Sequence, residues 1–529
     1  MMLFFNGRVH TLDPRTPFAD AVLVDDDGRV RFAGMLEDMN TVGQLANLVR
    51  IDLEGRTLLP GFNDAHVHIW KLGLLLTVQV DARAEAAPNL AAVVARFRER
   101  AAVTPAGSWL TGRGYNEVEL PEHRHPTRAD LDAASTAHPI ALTRTCGHML
   151  VANSHALALA GITRHTPDPP GGVIVRDSDG EPTGLLQETA QGLVTRVIPD
   201  TDDATMAAAI RACHQHQLAL GITSATDPLL APLHLRVYRQ MDAAGELAVR
   251  TNGLPIRRPD GGTETLPLPA RTLTPMLRVD TVKFFADGGL SGATAAISEP
   301  YRQTGTTGVL RFDDDELFAL MLETHRAGLR IATHAIGDVA IEQVITAYER
   351  LEQAVPGMGL RHRIEHLGLP SPAHLERCRA LGVIAVPQTI FLHALGTTYR
   401  RYLPESFFPR CYPARSMLDA GLTVALSSDA PVVPDDNPLM GMKAARDRQD
   451  SRGEPIAPEQ ALTPYEALYA YTMGGAIASG DADNRGSLSA GKWADLIVLS
   501  GDPLETPTER LPELRVERTY VGGRLVYEA

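Results

Sequence analysis

Six side chains in this sequence could do chemistry together, although they lie far apart in it. His66 and His68 stand two apart in PGFNDAHVH. Lys283 interrupts an apolar run, DTVKFF; His334 closes LRIATH, His366 closes RHRIEH, and Asp429 lies in LTVALSSDA. Imidazole nitrogens and carboxylate oxygens are donors for divalent metal ions. On a strand, residues two apart point to the same side, so His66 and His68 can converge. Lys283 is the most informative position. Burial disfavours an ammonium and lowers its pKa. A neutral amine can add carbon dioxide to give a carbamate, an anion whose two oxygens can bridge two ions. The competing reading is a lysine that snorkels outward or pairs with Asp287.

Other histidines serve as controls. His214 and His216 also stand two apart, but in a helical run, ATMAAAIRACHQHQLAL. Residues so spaced on a helix do not face each other, so this pair cannot chelate. His123 and His125 lie in a Pro-flanked loop, PEHRHP, and read as solvated.

The elements that would position the six are strands alternating with amphipathic helices. Eight candidate strands run through LLPGFNDAHVH (58–68) and residues 221–227, 249–256, 281–289, 329–337, 361–368, 382–388 and 422–430. Helical runs such as DDDELFALMLETHRAG and SPAHLERCRALG separate them; in the latter, Ser371 suits the cap and Pro372 the first turn. This alternation predicts an α/β fold, a (β/α)8 TIM-like barrel over residues 59–479. The six side chains would then meet at the C-terminal rim of the strands, where active sites of such barrels are built. The stretch of about 70–218 is too long for one crossover and reads as an inserted α+β domain with its own strand, PIALTRT. Residues 1–58 and 480–529 are β-rich, broken by Asn-Gly, Asp-Gly and Gly-Gly turns, and together predict one small β-sandwich.

Composition narrows the function classes. The chain has 529 residues, 44% of them hydrophobic, and a formal charge of −14, which argues against nucleic acid and anionic membranes as partners. No apolar run reaches the ~20 residues of a membrane span, and the start, MMLFFNGRVHTLDP, reads as a strand and not a signal peptide. Cys146, Cys213, Cys378 and Cys411 form no CxxC pair, which disfavours a disulfide framework and points to a reducing, cytoplasmic setting.

The chain resembles the amidohydrolase superfamily of metal-dependent hydrolases, and within it the amidohydrolase-3 (YtcJ-like) group that includes N-substituted formamide deformylases. The matching segments are PGFNDAHVH, VKFFADGG, THAIGD, RIEHLG, SSDAP and GSLSAGKWADLIVL, with WLTGRGYNE and GHMLVANSHAL in the insertion. The resemblance implies that His66, His68 and Asp429 bind one metal, His334 and His366 a second, and that Lys283, carboxylated on its amine, bridges them. Glu188, in GLLQETA, is the alternative ligand. One departure is Asp287-Gly288-Gly289, where relatives often carry Asp-Gly-Ser.

The expected activity is hydrolysis of a carbon–nitrogen amide-type bond in a small molecule: N-acyl, N-formyl or a cyclic amide. Two divalent ions, zinc first and manganese or iron as substitutes, would share the attacking hydroxide, and Asp429 would carry its proton to the leaving nitrogen. Alternatives are a mononuclear deaminase of a heterocycle, an esterase or lactonase, and an assembly protein that has lost its chemistry. Tyr115, His148 and Asn153, with Gly112 and Gly114, are the expected pocket wall, and Tyr115 and Asn116 could meet the substrate. Arg113, Arg144 and Arg302 are available for a substrate carboxylate. A homodimer is the family-level expectation.

Overall fold

Eight strands arise from the eight segments read as strands, and each runs parallel to its neighbour. The computed structural model describes residues 1–42, 48–259 and 264–529. The strands are β1 (Phe62–Asp64), β2 (Ile222–Leu230), β3 (Arg250–Pro255), β4 (Thr281–Phe285), β5 (Arg330–Ala335), β6 (Arg363–His366), β7 (Ile384–Val386) and β8 (Thr423–Val424). The parallel set β1-β2-β3 belongs to one sheet and β4 through β8 form another in sequence order. A parallel bridge between Ile256 and Lys283 joins β3 to β4. At the other margin, Ala65 N donates to Leu426 O at 3.4 Å, just beyond β1 and β8.

Helices between these strands cover them with apolar stripes. In Asp338–Ala354, the buried residues Ala340, Ile341, Val344, Ile345, Tyr348 and Leu351 recur at helical spacing and face the strands. Asp313 caps Asp314–Arg326 by accepting from Asp315 N and Glu316 N. Ser371 caps Pro372–Ala380, with Pro372 in the first turn, as the sequence predicts.

The first predicted strand is divided in two. Thr57–Pro60 pairs antiparallel with Leu496–Leu499 near the C-terminus, and only Phe62–Asp64 joins β2. Gly61 lies between them, where a Cβ would sit 2.1 Å from Thr223 Oγ1. The sheet Thr57–Pro60, Leu496–Leu499, Val516–Val521 and Arg524–Glu528 therefore combines both ends of the chain. A second sheet is built from Met2–Phe5, Ala21–Val24, Val30–Gly34 and Val49–Asp52. The two share one apolar core containing Phe4, Val22, Leu58, Leu496, Val498 and Tyr520.

The long stretch after β1 holds a six-stranded sheet from Val80–Asp81 to Pro182–Glu188, with its own core around Phe97 and Leu142. PIALTRT supplies its strand Ile140–Arg144. The helices on either side of this sheet, Ile69–Thr77 and Asp203–Ala219, pack on each other so closely that a Cβ on Gly73 would meet Ala209 O at 2.1 Å. On the second helix His214 is buried, while His216 pairs with Asp436 at 2.8 Å. The two histidines do not form a chelating pair. None of the four cysteines is in a disulfide, and among the described residues no helix is long and apolar enough to cross a membrane.

One buried ion pair fastens the terminal strands to the parallel ones. Arg250, opening β3, donates Nε and Nη2 to the two oxygens of Asp495 at 2.7 and 2.9 Å. Both are almost fully buried, and the guanidinium lies 4.5 Å from the Trp493 ring. Removing one member of a buried pair leaves an uncompensated charge and costs about 3–5 kcal/mol. Asp495→Ala is therefore expected to lower the thermal unfolding temperature by several degrees in scanning calorimetry, and an unchanged transition would show that this clamp carries no stability.

Candidate metal centre

The six predicted residues come together, but not all of them stand on strands. β1 ends at Asp64, whose Oδ1 accepts from His66 N at 3.1 Å, a local turn that competes with strand extension. His66 and His68 therefore sit in the segment leading into Ile69–Thr77 and not on a strand end as expected. Their rings still approach to 5.6 Å. Asp429 lies five residues beyond β8, on backbone with φ 57°. His366 ends β6 with φ 72°. Such left-handed positions are uncommon for residues with a Cβ, and here they re-aim two side chains that regular strand geometry would direct elsewhere.

The cluster is dense and buried. The His66 and His366 rings lie 4.9 Å apart and those of His334 and His366 4.4 Å apart. Asp429 Oδ1 is 3.1 Å from His68 Nε2 and 3.4 Å from His66 Nε2. His66, His366 and Asp429 each present a ligand atom within 4.8 Å of the others.

Each of three rings has one nitrogen held by the protein. His66 Nδ1 meets Glu365 Oε2 at 2.5 Å, His366 Nδ1 meets Gln388 Oε1 at 2.5 Å, and His334 Nε2 meets Gly288 O at 3.0 Å. Acceptors of this kind fix the N–H on the bonded nitrogen and leave the other with a lone pair. Glu365 is itself fully buried and takes two hydrogen bonds from Arg363, at 2.7 and 2.8 Å. Against the penalty of burial, Arg363 and His66 hold its carboxyl well below the usual range. Burial keeps His68, His334 and His366 well below the ordinary imidazole value, so their rings are neutral.

Lys283 is buried completely and its amine has no hydrogen-bond partner. Burial pulls its pKa down to about 8, against the attraction of Glu365 and Asp429. Asp287, the competing partner, is occupied elsewhere. Its oxygens accept from the backbone N–H groups of Ile336, Gly337 and Ala296 at 2.8–3.0 Å. The donor set fits divalent ions: lone pairs face one another, and Lys283 Nζ, His68 Nδ1 and Asp429 Oδ1 are buried polar atoms without partners.

The predicted pocket wall is only partly near this cluster. Gly114, at φ 104°, interrupts the pairing of Leu110–Tyr115 with Ile140–Arg144, so the register shifts there. Tyr115 is consequently turned into the core of the insertion, where its hydroxyl meets His125 Nδ1 at 3.1 Å. Asn153 is also fully buried and caps Ser154–Leu159 by accepting from Ala156 N. Asn116 binds Arg144, and Arg144 is paired with Glu117 at 2.7 Å. Arg302 pairs with Glu405 at the surface. His148 lies nearer, 4.0 Å from the Cβ position of Gly289, and meets Glu188 at 3.1 Å. Glu188 is engaged by His148 and Arg311 and is outside the group formed by His66, His366 and Asp429. Sequence reasoning missed Glu365, Arg363 and Gln388. The first two were visible as opposite charges two residues apart in RHRIEH, a segment that reads as a strand, where charge is costly to bury without a purpose.

Known proteins carry the same arrangement of sequence. The amidohydrolase family pattern matches residues 50–527. YtcJ of Bacillus subtilis (strain 168) is 32% identical over 99% of this chain and 99% of its own. The N-substituted formamide deformylase of Arthrobacter pascens is 31% identical, covering 100% of this chain and 98% of that one. Among solved structures, an uncharacterized metal-dependent hydrolase from Pyrococcus horikoshii superposes with a TM-score of 0.78 at 25% identity, over 96% of this chain and 99% of that one. The chain belongs to the amidohydrolase family and is a hydrolase acting on carbon–nitrogen bonds.

Proposed function

We propose that this enzyme cleaves an amide-type bond of a small molecule at a two-metal site. The observation that carries the reading is Lys283: a fully buried amine, unpartnered, among histidines with free lone pairs. A pKa of about 8 leaves a substantial neutral fraction near neutrality. That amine can add carbon dioxide with loss of one proton, forming a carbamate that offers two oxygens. His66, His68 and Asp429 would hold one ion, and His334 and His366 the second, with the carbamate between them. We also propose that the two parallel sheets are parts of one eight-stranded barrel, and that the terminal sheets form a sandwich beside it. The relation to a formamide deformylase supports a formyl or other small acyl amide as substrate.

Zinc or a similar divalent ion, when bound there, supplies a Lewis acid for the carbonyl and an activated water. The chain's own residues do the rest. Asp429 takes the proton released as water attacks and delivers it to the departing nitrogen, since an amide anion is a poor leaving group. Glu365 and Gln388 hold the rings of His66 and His366 in one tautomer. The close group of His66, His366 and Asp429 favours a second reading, a single ion serving a deaminase.

Metal content decides between them. Purified protein is expected to hold about two zinc-type ions per chain by mass spectrometry, and Lys283→Ala fewer. One ion in both proteins would select the single-ion reading. Reloading of metal-free protein at a fixed concentration of dissolved carbon dioxide should be faster above pH 8 than at pH 6, because only the neutral amine reacts; equal rates would exclude the carbamate. Asp429→Asn should lower kcat by about 100-fold or more on a hydrolysed formamide, and a near-normal kcat would remove Asp429 from proton transfer. Glu365→Gln should weaken metal binding about 10–100-fold, measured by competition with a chelator.

A further inference from the structure

The insertion sends one histidine to the edge of the metal centre and strains its backbone to hold it. His148 and Glu188 stand at the end of the paired strands Met149–Ala152 and Pro182–Glu188, where Glu188 N donates to His148 O at 2.9 Å. Glu188 has φ 49° and ψ −126°, a pair that suits glycine at the opening of a type II′ turn. Strain of this kind persists only where the surroundings enforce it, and it clusters at functional sites. Here it brings Glu188 Oε2 to 3.1 Å from His148 Nδ1. Arg311, from the segment between β4 and β5, points Nη2 at the same nitrogen at 3.3 Å and at Glu188 Oε2 at 3.4 Å. Its Nε donates to Asp287 O at 3.1 Å. Both contacts of the His148 ring fall on Nδ1; among the described residues, Nε2 has no partner.

That free nitrogen faces a gap beside the cluster. His334 Nε2 meets Gly288 O at 3.0 Å, and the next residue, Gly289, would aim a Cβ at the His148 ring, 4.0 Å from Nε2. One peptide link therefore separates His148 from His334. The backbone does not require glycine at 289, since it is extended at φ −116° and ψ 151°. Packing does not require it either: the Cβ would touch only His148, at ordinary contact distances. Gly288 differs, because its Cβ would lie 2.3 Å from Thr294 Oγ1. What Gly289 supplies is open space in front of Nε2. His148, Glu188 and Arg311 keep 13, 14 and 15% of their side chains exposed, so a molecule in the site can reach them. Other donors around the cluster are committed: Arg363 to Glu365 and Ala65 O, Gln388 Nε2 to Val386 O and Ser427 Oγ, Ser428 Oγ to Asp64.

Arg311 can only donate, so a ring that accepts from it at Nδ1 carries its hydrogen on Nε2. A ring protonated on both nitrogens and paired with Glu188 presents the same N–H. We propose that His148 is a catalytic residue whose Nε2–H donates to the carbonyl oxygen of the scissile amide, in the space that Gly289 leaves. This rests on the amidase reading and names the donor that meets the developing charge. As water adds to the carbonyl carbon, the π pair of the C=O bond moves onto that oxygen; it returns as the C–N bond breaks. His148 keeps its proton throughout, and proton transfer stays with Asp429. A fixed donor at the atom where charge develops stabilises the transition state more than the ground state. Glu188 and Arg311 are positioning residues that set the plane of the ring.

The test uses the metal-loaded enzyme with N-benzylformamide and N-benzylacetamide as substrates. Calorimetry measures two ligands: N-benzyl methylphosphonamidate, a tetrahedral anion resembling the water adduct, and benzylamine, which lacks that oxygen. His148→Ala should lower kcat about 100-fold or more, with KM and metal content little changed. It should weaken the phosphonamidate by a similar factor and leave benzylamine unchanged. Gly289→Ser keeps every charged group and suits the extended backbone, so it reports even where His148→Ala fails to fold. Its hydroxyl should occupy Nε2 and weaken the phosphonamidate as well. Glu188→Gln should lower the ratio of phosphonamidate to benzylamine affinity by less. Unchanged phosphonamidate affinity in both His148→Ala and Gly289→Ser overturns the proposal, as does an equal loss for both ligands. Metal lost from His148→Ala or Glu188→Gln also overturns it, because the pair would then serve the ions. So does a wild-type enzyme that binds the phosphonamidate no better than benzylamine. Hydrolysis of either amide at a near-normal rate by His148→Ala removes the donor and leaves the amidase reading standing. Phosphonamidate binding that depends on His148, with neither amide hydrolysed, upholds the donor and counts against the amidase.

Discussion

The centre depends on one carboxylate that never meets water. Glu365 is fully buried, and such a group is stable as an anion only where its lone pairs are met. Arg363 meets them from the same face of β6, two residues away, and His66 meets them from across the site. The chain Arg363–Glu365–His66 thereby couples β6 to the segment after β1, which lies 299 residues away in sequence. Arg363 extends the tie by donating Nη2 to Ala65 O at 2.7 Å. A buried ion pair of this kind adds little net stability over an apolar substitute. What it supplies is direction: it decides which nitrogen of His66 carries hydrogen and where the other one points.

The same logic separates the acids of the site by task. Asp287 is buried beside His334 and is pushed up to about 7, yet three backbone N–H groups bind its oxygens. It shapes the segment after β5 and lies 3.3 Å from His334 Nε2 at its Oδ1. Asp64 does similar work after β1, accepting from Ser428 N and Oγ as well as from His66 N. Asp429 differs from both. Its Oδ1 faces two imidazoles and has no hydrogen-bond donor of its own.

Much of this was legible in the sequence, and the exceptions have physical causes. The alternation of strand-like and helical runs located all eight parallel strands, although the first was read as one strand where the chain makes two. The six clustered residues were legible because each stands in or a few residues beyond such a strand. Tyr115 was misplaced by one glycine: a positive φ at Gly114 shifts the register and turns the ring into the insertion's core. His366 and Asp429 adopt left-handed backbone without glycine, which no residue type announces. Glu365 was overlooked because it is adjacent to His366, and alternation would put the two on opposite sides. The left-handed turn at His366 is what lets both serve one site. Asn153 looked like a substrate contact because its amide is polar and its neighbours are small; its actual role as a cap is the commoner use of asparagine before a helix.

Two lysines show how burial alone does not define a role. Lys283 is cut off from water on all sides, and its amine has no donor or acceptor in reach. Glu365 and Asp429 attract it, Arg363 repels it, and the Phe285 ring lies 4.8 Å away. Chemistry that converts the amine into an anion removes both the desolvation penalty of a buried cation and the lack of a bridging ligand. Lys71 has the opposite situation. It borders a cavity that Arg113, Glu188 and Asp200 also line, so a molecule entering from solution can reach it. The difference between the two positions is therefore access to solvent.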